Sequence, residues 1–136
     1  MKKALVIILV IAVASIGLWF LLPDSNTKTS PNATQEVSAG AIAQAALDSS
    51  KNGTAYIFDV RTTDEFNQKH VDTAINHDVE KMQSGEFPNV AKDSAIYVYC
   101  RSGNRSNQAK ELMQQNGYTN VTDLGGLTDL QQAGIL

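Results

Sequence analysis

Cys100 is the single cysteine of the chain, and the residues on either side of it suit a nucleophile. It ends a continuous apolar run, Ser94-Ala95-Ile96-Tyr97-Val98-Tyr99, and opens a polar stretch, Arg101-Ser102-Gly103-Asn104-Arg105-Ser106. The apolar run predicts a buried parallel strand, Gly103 a turn, and residues 106–116 a helix closed by Gly117. A sulfur held between a strand end and a helix start faces unpaired backbone amides and the positive end of the helix dipole. Arg101 and Arg105 add two guanidinium charges close by. All of these favour the thiolate, the reactive form of cysteine, and each unit of pKa lowering corresponds to about 1.4 kcal/mol. An inert core cysteine belongs inside a strand rather than at its end. The chemistry that fits is covalent catalysis at sulfur.

The rest of the composition narrows the choice. One cysteine excludes an intrachain disulfide framework, and the usual zinc arrangements are absent because no CxxC or Cys/His cluster occurs. His70 and His77 are spaced unlike any short metal-ligand motif, so no metal or other cofactor is expected. Every acidic residue follows Pro23, where nine basic groups meet fourteen acidic ones for a net charge of −5. The only arginines are Arg61, Arg101 and Arg105, so there is no basic stripe for a nucleic-acid partner. With 43% hydrophobic and 18% charged residues, the chain has the balance of a folded domain rather than a disordered one.

The N-terminus reads as an address or an anchor. Lys2 and Lys3 precede an uncharged run over residues 4–22, close to the ~20 apolar residues of a membrane-spanning helix. Ala12-Val13-Ala14 has the small-x-small form of a cleavage site, but the apolar run continues through Ile16, Leu18, Trp19, Phe20, Leu21 and Leu22, as in a retained span. Lysines before the span and Asp24 after it put the remainder outside the cytoplasm. The expectation is a single-pass anchor in a bacterial inner membrane with a periplasmic domain; the alternative is a cleaved, soluble periplasmic protein. Residues 1–23 are then a signal-anchor, 24–36 a polar, flexible tether, and 37–136 one domain.

Within that domain, Ser38 caps an expected helix ended by Asn52-Gly53, and residues 55–60 form a second buried strand. Thr62-Thr63-Asp64-Glu65 has the form of a capping box, opening a short helix through His70. Residues 74–77 suggest a short strand, and no regular element is assigned from there to Pro88. Residues 120–124 read as a strand, Gly125-Gly126 as a tight turn, and 128–132 as a last helix with Thr128 and Gln131 in capping-box spacing. Strands alternating with helices imply an α/β fold with a mainly parallel central sheet flanked by helices, preceded by the N-terminal hydrophobic helix. Sites in such folds lie at strand C-termini.

The motif Cys100-Arg101-Ser102-Gly103-Asn104-Arg105-Ser106 resembles the active-site loop of single-domain rhodaneses. Phe58-Asp59-Val60-Arg61, Glu65-Phe66, His70-Val71-Asp72-Thr73-Ala74-Ile75-Asn76 and the late Gly125-Gly126 resemble that family's other signatures, in the same order. Lys69 and Thr73 stand where the family usually has glycine, and Leu127-Thr128-Asp129-Leu130 where an aromatic residue often follows the glycine pair. The resemblance implies a sulfurtransferase in which Cys100 takes a sulfane sulfur from a small anionic donor such as thiosulfate. The resulting persulfide passes it to cyanide or a thiol, with a protein acceptor also conceivable. It implies that amides over residues 101–106 wrap the outer sulfur, that Arg105 braces the loop, and that Arg101 attracts the donor. Asp59 and Arg61 are then supporting residues, and His70 is structural. Two alternatives stay open: a non-catalytic persulfide carrier or redox-interaction module, and a cysteine-dependent phosphatase or arsenate reductase. Phosphatases of related fold place one more residue between Cys and Arg.

Overall fold

Parallel pairing of short apolar strands requires a crossover between each pair, and every crossover here is a helix. The computed structural model describes residues 38–136. The elements are α1 (Ala39–Lys51), β1 (Ala55–Asp59), α2 (Thr63–Gln68), β2 (Ile75–Asn76), α3 (Val79–Gln83), β3 (Ala95–Tyr99), α4 (Asn104–Gln115), β4 (Val121–Asp123) and α5 (Leu127–Gln132). The expected anchor (1–23), tether (24–36) and N-terminal hydrophobic helix lie outside the described residues. Among the described residues, no helix is long and apolar enough to cross a membrane.

The four strands are parallel in the order β2-β1-β3-β4. Chain order therefore reverses between β1 and β3, and their carboxyl ends, at Asp59 and Tyr99, border the crevice where open α/β sheets place ligands. Both faces of the sheet are covered, which is why β1 and β3 read as unbroken apolar runs. On one face Phe58, Ile96, Val98 and Cys100 pack with Ala109 and Met113 of α4 and Met82 of α3. On the other, Ile57 and Tyr99 pack with Ala43, Ala46 and Leu47 of α1 and Leu130 of α5. The period-2 alternation of a strand thus sends Cys100 and Tyr99 to opposite cores.

Local signals set most element boundaries. The Ser38 hydroxyl accepts from the Ala41 amide (3.2 Å), and Thr62 and Glu65 form the expected capping box at the start of α2. Three expectations are corrected. A short helix, α3, occupies part of the unassigned segment; Asp78 caps it, and its burial of Val79 and Met82 is too brief a pattern to show as periodicity. The helix expected from Ser106 begins at Asn104, because Gly103 takes a left-handed conformation (φ 92°) and starts the first turn itself. Helix α5 begins at Leu127, one residue early, and Thr128 and Gln131 form no capping box. Its cap is Gly126, whose amide donates to Asp129 Oδ2 (2.8 Å).

The cause of that last shift is a tertiary clamp. The Leu127 amide donates to the Arg101 carbonyl and the Cys100 amide to the Gly125 carbonyl, each at 3.1 Å, while Ser102 and Gly126 form an antiparallel bridge. A Cβ on Gly126 would lie 2.8 Å from the Arg101 carbonyl oxygen and 3.0 Å from Ser102 Cα, so the two segments approach to a distance only glycine permits. Gly126→Ala is expected to cost about 1–3 kcal/mol, as overpacking does, read as a lower urea midpoint at an unchanged m-value.

Candidate active site

Cys100 follows β3 directly and is wholly buried. Its sulfur accepts a hydrogen bond from the Gly103 amide at 3.1 Å, closing the loop into a cradle around the sulfur. Ser106, also buried, donates its hydroxyl to the Gly103 carbonyl (2.9 Å) and lies 3.3 Å from the Gly125 carbonyl. Loop, helix start and glycine clamp are therefore one hydrogen-bonded unit.

Burial pushes the Cys100 thiol up, since an anion loses its hydration there, yet the net shift is downward. The stabilisation that the Ser106 side chain and the amides of Ser106, Ser102 and Gly103 give the anion outweighs the burial. These donors surround the first turn of α4, where backbone N–H groups have no partner within the helix. The arrangement favours a sulfur anion without a general base.

The two arginines of the loop differ. Arg101 is exposed, and among the described residues its side chain makes no hydrogen bond or ion pair; its carbonyl serves the clamp. Arg105 instead grips Glu65 of α2 with both terminal nitrogens, Nη1 to Oε2 at 2.7 Å and Nη2 to Oε1 at 2.9 Å. The Arg105 guanidinium, with the Thr62 cap, holds the Glu65 carboxyl down to about 2. The stabilisation this pair brings is complete above the ordinary carboxylate pKa near ~4.3 and is lost as pH falls towards the lowered value. The sequence places two guanidinium charges near Cys100 and the resemblance implies a bracing role for Arg105; in the structure the Arg105 charge is neutralised by a partner 40 residues away. Asn104 is exposed in the first turn of α4.

Asp59 and Arg61 are both buried and pair with each other: Arg61 Nε lies 2.9 and 3.0 Å from the two carboxylate oxygens, and the Arg61 amide 3.0 Å from Oδ1. Arg61 Nη2 also donates to the Lys69 carbonyl (2.6 Å), while the Tyr99 hydroxyl accepts from the Val71 amide (3.1 Å). Asn76 Nδ2 donates to the carbonyls of Asp59 and Arg61 at 3.1 and 2.8 Å. The pair thus ties the end of β1 to Lys69, Tyr99 ties the end of β3 to Val71, and no side-chain hydrogen bond of Asp59 or Arg61 reaches the Cys100 loop. His70 is exposed, stacks on Phe66 at 3.8 Å between ring centroids, and bonds the Phe66 carbonyl through Nδ1. Thr73 Oγ1 is buried with no hydrogen-bond partner. Leu127 packs on the α1-side core. Among the described residues no three His, Cys, Asp or Glu side chains are grouped to hold a metal ion. In the sequence Glu65 reads as a helix cap and, with Asn76, as part of the quoted signatures, and Tyr99 as a strand residue; nothing in their spacing signals their partners.

A family model, the rhodanese-like domain, matches residues 42–133. Thiosulfate sulfurtransferase PspE of Escherichia coli is 38% identical over 73 residues, covering 53% of this chain and 70% of that protein. The adenylyltransferase and sulfurtransferase uba4 of Ogataea parapolymorpha is 35% identical over 74 residues, 54% of this chain but 19% of that much longer protein. Among solved structures, the Rhodanese_3-like domain of the Anabaena sp. Alr3790 protein superposes with a TM-score of 0.55 at 28% identity, covering 60% of this chain and 95% of that one.

The lowered thiol pKa makes a kinetic prediction. Alkylation of Cys100 by iodoacetamide should rise with pH through a midpoint below the ordinary thiol value of about 8.5. In Ser106→Ala, which loses the hydroxyl that braces the loop through the Gly103 carbonyl and helps lower the thiol pKa, that midpoint should move up. The same linkage makes the thiolate's contribution to stability full above the unfolded thiol pKa and lost as pH falls through the lowered one.

Proposed function

The chain belongs to the rhodanese-like domain family, and from that premise we propose that it is a sulfurtransferase working through a persulfide on Cys100. The observation that carries the reading is the sulfur of Cys100 held by the Gly103 amide, and the lowering of the thiol pKa by Ser106, Ser102 and Gly103 supports it. In the first half-reaction the thiolate attacks the outer sulfur of thiosulfate. An S–S bond forms, the donor's S–S bond breaks, and sulfite leaves with the electron pair. In the second, cyanide or a thiolate attacks the outer persulfide sulfur, and Cys100 departs as the thiolate it was at the start. No external oxidant or reductant is consumed. Negative charge that begins on Cys100 moves one atom outward in the persulfide, and oriented amides stabilise it at either position without reorganising. Splitting the transfer in two means donor and acceptor never need to bind together.

Arg101 supplies the exposed cation that draws in the anionic donor. The phosphatase alternative is disfavoured because both terminal nitrogens of Arg105 are engaged by Glu65 rather than free for a tetrahedral oxyanion. The proposal extends to location: an inner-membrane anchor over residues 1–23 with the domain in the periplasm, supported by Lys2, Lys3 and the uncharged run that follows.

Treating the protein with thiosulfate should add one sulfur atom to Cys100 by mass spectrometry. Cyanide should remove it with formation of thiocyanate, and Cys100→Ala should acquire none. A protein that takes up sulfur but releases it to neither cyanide nor thiols would instead be a carrier, and one that takes up none would refute the transferase reading. Expressed in a bacterium, the chain should sediment with membranes and be digested by protease added to spheroplasts; protection from that protease would refute the location.

A further inference from the structure

We propose that Glu65 is a specificity-determining residue of the Cys100 site: by pairing with Arg105 it withholds one positive charge from anionic reactants approaching the sulfur. In the sulfurtransferase reading, on which this rests for its substrate, those reactants are anionic sulfur donors, and Glu65 limits their advantage over uncharged ones.

Neither partner of the pair needs the other for solvation. Arg105 and Glu65 keep 31% and 25% of their side-chain surface exposed, so water alone could solvate either charge. This contrasts with Arg61 and Asp59, at 4% and 0%, where each ion requires the other. Nor does the helix start need the charge. Glu65 accepts from the Thr62 amide and hydroxyl, both at 3.2 Å, but a capping box works with Gln at that position as well as with Glu. Among the contacts of Glu65, only the bidentate grip on Arg105 makes full use of a carboxylate.

The consequence falls on the sulfur. Arg105 lies five residues beyond Cys100, in the first turn of α4, and that turn opens at Gly103, whose amide holds the sulfur. Neutralised by Glu65, it leaves Arg101 as the one unpaired guanidinium of the loop among the described residues. Acidic groups also border the loop: Asp78 caps α3, and Asp123 and Asp129 accept from the Gly125 and Gly126 amides. A dianionic donor meeting a thiolate in that setting is helped by one free cation rather than two, while an uncharged reactant is indifferent to the count.

The test uses the full 136-residue chain, whose one cysteine makes alkylation report on Cys100 alone. Iodoacetate and iodoacetamide are close in size and react alike, with an S–C bond formed and iodide expelled. The ratio of their rates therefore cancels thiolate fraction and access and reads local charge. Glu65→Gln should raise the iodoacetate-to-iodoacetamide ratio by about three- to tenfold at low ionic strength, with the gain shrinking in salt. Arg105→Gln, which leaves Glu65 uncompensated, should lower it, and the double variant should return near the original ratio. Opposite signs with cancellation are not what loss of structure produces. For thiosulfate, Glu65→Gln should lower KM with kcat retained. A ratio that Glu65→Gln leaves unchanged or lowers overturns the inference, even in a protein that transfers sulfur. The stated alkylation pattern in a protein that gains no sulfur from thiosulfate upholds the charge assignment and refutes the transferase reading alone.

Discussion

An anion taken out of water must recover its solvation from the protein, and the closed Cys100 site is organised around that requirement. The sulfur is fully buried, and backbone amides receive it, with the Ser106 side chain beside them. Amides suit the task because they are dipoles fixed by the fold: they stabilise charge without contributing a titratable group of their own, and they need not move as charge shifts from a thiolate to a persulfide. Aiming several amides at one atom demands an unusual backbone path, and the left-handed Gly103 provides its turn.

That path is held from outside. Gly125 and Gly126 lie against the loop closely enough that a side chain on Gly126 would collide with Arg101 and Ser102, and the same contact sets the start of α5. The sheet order brings the pieces together. Because chain direction across the sheet reverses between β1 and β3, Asp59 and Cys100 emerge side by side, and β4 delivers the glycine pair to the same edge.

Two arginine–carboxylate pairs flank this edge and do different work. Arg61 and Asp59 are buried, and their pairing holds Arg61 against the Lys69 carbonyl. Removing one partner would strand a charge in the core, so this pair is a matter of folding. Arg105 and Glu65 meet water, where an ion pair adds little stability, and their effect is on the charge presented to the sulfur. The same chemical interaction is structural in one case and electrostatic in the other because of burial alone.

Much of this was legible in the chain itself. The apolar runs before Asp59 and Cys100, the caps at Ser38 and Thr62, and the alternation of strands and helices depend on neighbours a few residues apart, so the sequence determined the α/β class, the strand positions and the place of the nucleophile at a strand end. It also carried the loop motif, whose residue types are those of an anion cradle. It did not determine that α4 begins at Asn104, that Gly126 caps α5, that Glu65 takes the charge of Arg105, or that the Asp59–Arg61 pair reaches Lys69. Each of these depends on segments distant in the chain meeting at short range, and hydrogen bonds and ion pairs act over a few ångströms of space. No local pattern encodes such distances, and only the packed tertiary structure decides them.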